Sequence, residues 1–210
     1  MSERLVPTPA GPARATTSDP AGPPVGTLVV GHGAGGLRWT DDVTAVRDAA
    51  VRHGWRVVLV DQPWRLAGRR VGPGPAALDP AWLAVLATVP RVGPLVVAGR
   101  SAGARVACRC AGEVGADLVV ALSFPLHPPR RPERSRADEL ARPGRRGIPV
   151  HVVQGRSDPF GTPEEVRRVL PPGAGLSEVD GTHSLERRAD DVAAAVLTEI
   201  GRRWERSVTE

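Results

Sequence analysis

The sequence contains no lysine, no asparagine and no tyrosine, and its only aromatic residues besides histidine are five Trp and two Phe in 210 residues. With lysine missing, all 28 basic residues are arginine, set against 23 acidic ones for a formal net charge of +5. Such a balance could suit nucleic acid, but no aromatic residues interleave the arginines to stack bases, so no nucleic-acid partner is expected. Cysteine is nearly absent too. Cys108 and Cys110 stand two apart with no further cysteine and no C-x-x-C spacing, which excludes a disulfide framework and a zinc ribbon. They read as small apolar packing residues in a reducing compartment. No apolar run approaches the roughly 18 residues of a membrane span, and the first 24 residues lack the hydrophobic stretch of a signal peptide. These absences lead to the expectation of a soluble cytoplasmic protein with no membrane association, no metal and no cofactor.

What is present is organised around PLVVAGRSAGARVA, Pro94 to Ala107. Leu95 to Ala98 form the unbroken apolar run of a strand buried on both faces, and helix-compatible residues resume directly after Ser101. Gly99 and Gly103 flank the serine two positions away on each side, giving the G-x-S-x-G pattern of a nucleophile elbow. A side chain at either glycine would push strand and helix apart, while the turn lifts the hydroxyl above the sheet edge.

The chain read in order supplies the partners. Residues 1–24, rich in Pro, Ala, Thr and Ser, are expected to be a flexible tail, and residues 25–210 a single domain. A buried strand over Thr27 to Val30 opens into GHGAGG, with glycines at 31, 33, 35 and 36. That loop lacks both the Lys-Ser/Thr ending of a P-loop and a clean G-x-G-x-x-G. It matches the glycine-rich loop that supplies a second oxyanion N–H in alpha/beta hydrolases, with His32 ordering the loop. A strand over Trp55 to Asp61, a helix over Ala81 to Thr88, the elbow, and strands over Asp117 to Phe124, Ile148 to Val153 and Gly175 to Val179 follow, and a helix from about Glu186 to Trp204 closes the chain. The pattern predicts an α/β architecture of the alpha/beta-hydrolase type, with about six mostly parallel strands flanked by helices and a minimal lid. The arginine-rich segment 130–146 stands where such folds carry a lid. A short helix there, with Arg134 and Asp138 paired at i,i+4, reads first as solvated surface and second as a basic gate for anionic substrates.

Ser101, Asp158 and His183 all fall just past strand carboxyl ends, where ligand-contacting groups gather in parallel sheets. Their order of oxyanion loop, nucleophile, acid and histidine is the alpha/beta-hydrolase order. The roles expected are nucleophile for Ser101, general base and acid for His183, and orienting carboxylate for Asp158, with Asp61 and Asp180 as substitutes. The backbone N–H groups of Ala34 and Ala102 are the expected oxyanion donors. Arg100 and His127 are expected near the substrate.

GHGAGG, GRSAGARVA, SFPLHPP, VVQGRSDPFGTPEEV and GTHSL together resemble a small alpha/beta-hydrolase family. It includes the testis-expressed hydrolase-like proteins and the hydrolase-like domain of a subunit of the NSL histone acetyltransferase complex, with dienelactone-hydrolase-like proteins as wider relatives. The sequence differs at the elbow, where Arg100, Ala102 and Ala104 stand for that family's lysine, methionine and glycine. The ordered set of loop, Ser101, Asp158 and His183 leads to the expectation of a serine hydrolase acting on a small acyl ester or thioester, and the resemblance is consistent with the alpha/beta-hydrolase fold. It also implies the alternative of an interaction scaffold with an idle site and a protein partner.

Overall fold

The computed structural model describes residues 1–204, so the last six residues of the expected domain lie outside the described residues. Eight strands form one sheet: β1 (Ser2–Val6), β2 (Ala13–Ser18), β3 (Gly26–Gly31), β4 (Trp55–Asp61), β5 (Leu95–Arg100), β6 (Leu118–Leu122), β7 (Val150–Gly155) and β8 (Gly175–Val179). Their order across the sheet is β1-β2-β4-β3-β5-β6-β7-β8. From β4 to β8 every pairing is parallel, and β1 and β2 join antiparallel at one edge.

The central strands carry near-continuous apolar runs because both faces are covered. Successive residues serve opposite cores: Leu28 and Val30 pack with Val96, Ala98, Leu118 and Val120 on one face, while Val29, Val97 and Val119 pack on the other. The first face is covered by α1 (Asp41–Arg52) and α7 (Ala189–Trp204), which contribute Val43, Val46, Val192, Val196 and Ile200. The second is covered by α3 (Asp79–Leu86) and α4 (Ala102–Val114). Short helices α2 (Pro63–Leu66), α5 (Ala137–Ala141) and α6 (Pro163–Val169) fill the connections. No helix among the described residues is long and apolar enough to cross a membrane.

Two expectations are corrected here. Residues 1–24 are not a free tail: β1 and β2 form a hairpin whose second strand pairs along β4, Ala15 opposite Val60 and Thr16 opposite Leu59. The segment looked disordered because its buried residues are small. Ala13 and Ala15 alternate into the core beside Trp64, and little apolar mass is needed there to hold an edge strand. The segment after β6 differs as well. Its helix begins only at Ala137, and Asp138 pairs with Arg145 rather than Arg134. Glu139 receives Arg105 at 2.6 Å and Arg109 at 3.0 Å, which pins α5 against the side of α4. Burial pushes the Glu139 carboxyl up, but the two guanidiniums more than offset this and hold it below the usual carboxylate range. Cys108 and Cys110 are both buried in the α4 layer as free thiols, and burial raises both, Cys110 to about 12.

Candidate active site

Strand β5 ends at Arg100, and the chain turns at Ser101 with φ 53° and ψ −112°, a strained backbone for a residue with a side chain. Close packing holds the turn in place. A methyl group on Gly99 would lie 2.3 Å from the carbonyl carbon of Gly103, and one on Gly103 would lie 2.5 Å from the Gly31 oxygen. The two glycines therefore let α4 sit directly against β5 and β3, with its N-terminus at the sheet edge. The Ser101 N–H donates to Leu122 O at 2.9 Å, tying the bend to β6.

The three separated side chains meet here. The Ser101 hydroxyl lies 2.9 Å from His183 Nε2, and His183 Nδ1 lies 2.8 Å from Asp158 Oδ2. This geometry assigns the Nδ1–H tautomer, with Ser101 donating to Nε2 and Nδ1 donating to the carboxylate. Asp158 is 1 % exposed. Its other contacts are neutral donors, the Phe160 N–H at 2.8 Å and the Gln154 side-chain amide at 3.0 Å. The Phe160 ring stacks obliquely on the imidazole with centroids 4.3 Å apart. The substitute acids are engaged elsewhere: Asp61 by Arg14 and Arg65, Asp180 by Arg156 and Arg188.

Gln154 was not among the sequence-derived site residues. Fully buried at the end of β7, it donates to Asp158, Phe124 O and Gly161 O and accepts from the Phe124 N–H, so it orients the acid and clamps two loops. The available signal was an amide closing the otherwise apolar run VHVVQG.

On the other side of Ser101, a methyl group built on Gly33 would come within 3.6 Å of the serine Cβ, so GHGAGG lies directly over this side chain. Ala102 follows Ser101 as the first residue of α4, where backbone N–H groups have no partner within the helix, and Ala34 follows Gly33 in the glycine-rich loop, its carbonyl accepting from the Gly72 N–H at 3.0 Å. His32 orders this loop. Its Nδ1 lies 2.7 Å from Gly33 O, its Nε2 accepts the Gln62 N–H at 3.0 Å, and its ring packs edge-on against Trp39 and Trp64. Burial lowers its pKa to about 4.

Arg100 and His127 are both engaged by protein groups at the edges of the site. The Arg100 guanidinium donates to Asp42 Oδ2 and to the His183 carbonyl, both at 3.2 Å. Asp42 is fully buried at the start of α1, and an unpaired carboxylate there would be strongly unfavourable, so the arginine is drawn inward to it. His127 is buried, with Nδ1 3.0 Å from Pro128 O and Nε2 3.4 Å from Glu165, and it braces Phe160 through a 3.0 Å backbone bond.

The architecture is shared with solved hydrolases. A lidless alpha/beta serine hydrolase from Xanthomonas campestris superposes with a TM-score of 0.72 at 20% identity, covering 97% of this chain and 94% of that one. Est1E from Butyrivibrio proteoclasticus, also solved with ferulic acid bound, gives 0.71 at 16% identity over 96% of this chain and 100% of its own. The thioesterase domain from the curacin biosynthetic pathway gives 0.71 at 16% over 94% and 99%. No curated protein matches the sequence at a significant level. The family described as alpha/beta hydrolase domain matches residues 24–202, which is nearly all of the described structure, and the chain belongs to that family.

Proposed function

We propose that the protein is a serine hydrolase that cleaves a small ester or thioester through an acyl-serine intermediate. The observation that carries this reading is the continuous row Ser101–His183–Asp158, with contacts of 2.9 and 2.8 Å, ending at a strained strand-to-helix turn. A serine hydroxyl is a weak nucleophile at neutral pH, so His183 Nε2 takes its proton as Oγ bonds to the acyl carbon. The carbonyl π pair moves to oxygen, and that oxyanion is held between the Ala34 N–H of the glycine-rich loop and the Ala102 N–H at the start of α4. Each such donor contributes roughly 3 kcal/mol at the transition state. The C–O or C–S bond then breaks as the imidazolium returns its proton to the leaving group. A water molecule repeats the sequence and releases the acid, regenerating the serine. Asp158 keeps the tautomer and stabilises the imidazolium throughout.

A role as a mere scaffold would place no demand on the backbone strain at Ser101 or on an acid that meets only neutral donors. Labelling with a fluorophosphonate probe separates the two. A serine hydrolase gives an adduct on Ser101 and turns over short activated esters. A protein inert in both assays would return the scaffold to first place.

A further inference from the structure

The two loops on either bank of Ser101 are unusually basic. Residues 62–74, after β4, and 123–136, after β6, together hold seven arginines and one carboxylate, Glu133. Arg65 is buried against Asp61 and Trp39, and Arg136 donates to Pro125 O. The other five are exposed, and among the described residues none of Arg69, Arg70, Arg130, Arg131 and Arg134 has a carboxylate within ion-pairing distance. Elsewhere some exposed arginines find acids, as Arg156 and Arg167 do on Glu178 and Arg168 does on Glu164, while Arg52, Arg142, Arg146 and Arg187 stand singly and away from the two loops.

Both loops are fastened to the proposed catalytic groups. The Gly72 N–H donates to Ala34 O at 3.0 Å, the Gly36 N–H to Arg70 O at 3.3 Å, and Gly35 bridges Val71, so the Arg69-Arg70 segment is strapped to the oxyanion loop. On the far bank, His127 N–H bonds Phe160 O behind the imidazole, and Arg131 N–H bonds Pro128 O, which holds the Arg130-Arg131 turn beside that anchor. The strap also exposes apolar surface. Leu37 and Val71 are 51% and 75% exposed, although large apolar side chains elsewhere in the domain are mostly buried.

From this arrangement we infer that the substrate is an anionic ester or thioester. Its apolar segment rests on Leu37 and Val71, and its carboxylate or phosphate is received by Arg69-Arg70 on one bank or Arg130-Arg131 on the other. The inference rests on the serine-hydrolase reading. The strap places the arginines a few residues from the oxyanion loop, where a charge some carbons from the scissile carbonyl would lie. Guanidiniums with no internal acid are free to form charge-assisted bonds with such a group.

The test compares two substrates of equal chain length, 4-nitrophenyl hexanoate and the mono-4-nitrophenyl ester of adipic acid, which differ by a terminal carboxylate. The intact protein is expected to favour the adipate ester in kcat/KM by about tenfold at low salt. That ratio should fall towards one in the double variant Arg69→Gln/Arg70→Gln, in Arg130→Gln/Arg131→Gln, or in both, and on raising ionic strength to about 0.5 M. Using a ratio removes any general loss of activity in a variant, and Arg52→Gln, at the far end of α1, should leave it unchanged. A ratio near one in the intact protein overturns the inference, as does a preference that survives both double variants. Hydrolysis of the neutral hexanoate that disappears in Ser101→Ala would uphold the hydrolase reading even then, so the two can fail separately.

Discussion

The described residues contain two Ser–His–acid rows. One is Ser101–His183–Asp158 at the carboxyl edge of the sheet. The other, Ser177–His151–Glu199, joins β8, the start of β7 and α7, with Ser177 Oγ 2.9 Å from His151 Nε2 and Glu199 3.5 Å from Nδ1. The residue types match, but His151 Nδ1 makes no hydrogen bond to its acid whereas His183 Nδ1 lies 2.8 Å from Asp158, and the physical settings differ in three further ways. Ser177 lies within a regular strand, whereas Ser101 is held at φ 53° with a helix N-terminus following it. Glu199 is neutralised by Arg203 at 2.6 Å and Arg202 at 2.9 Å, whereas Asp158 meets only neutral donors and the imidazole, so its charge remains to stabilise an imidazolium. The third difference is location, because the glycine-rich loop lies over Ser101 and the carboxyl ends of the strands face it. A serine, a histidine and an acid in line make a brace unless strain, field and free N–H donors converge on them.

The comparison is broken most sharply by the two serines. Ser101→Ala is expected to reduce kcat on activated esters on the order of 10⁴-fold or more, whereas Ser177→Ala should leave it within about twofold. Equal losses would mean that the strain and N–H donors carry no weight. The acids sharpen it next. Asp158→Asn should lower kcat by roughly 10³ to 10⁴ through the wrong tautomer, while Glu199→Gln should leave kcat unchanged and lower stability in urea unfolding by about 1–2 kcal/mol, since it strands two guanidiniums.

A smaller effect belongs to Arg100, a positioning residue that acts through the His183 carbonyl. Arg100→Ala should lower kcat by roughly 10- to 100-fold, because displacing the imidazole disrupts alignment, with little change in KM. Arg100→Lys should recover part of the loss by keeping the charge on Asp42. A rise in KM at constant kcat would instead place this arginine on the substrate.

The smallest effect is on stability against pH. Burial lowers the pKa of His32 from 6.5 to about 4 and lowers that of His151 as well, Glu199 partly opposing the shift. The folded protein therefore holds these rings neutral while the unfolded chain takes up protons below about pH 6.5. Stability is full above that value and is lost as pH falls through about 4, by roughly 2–3 kcal/mol for His32. Urea midpoints measured across this window should flatten in His32→Asn, and an unchanged slope would count against a neutral ring in the glycine-rich loop.

Much of this was legible in the sequence. Apolar runs without alternation announced strands covered on both faces, and G-x-S-x-G placed a bend at Ser101. The order of loop, serine, acid and histidine singled out the three side chains that the fold brings into one row. The parts that were not legible have a common cause. Ala13 and Ala15 hold an edge strand through contacts with Trp64 and β4, about 45 residues away, and no local pattern reports that. The inward turn of Arg100 depends on Asp42 being buried, and the support of Asp158 by Gln154 depends on where the chain returns after β7.

The sequence alone determined where strands end and helices begin, because hydrophobic periodicity and glycine stereochemistry act over a few residues. Tertiary structure alone decided which serine, histidine and acid meet at a strained bend on the carboxyl edge of the sheet. It also decided which arginines are neutralised by buried acids and which face outward, because burial and electric field depend on groups far apart in the chain.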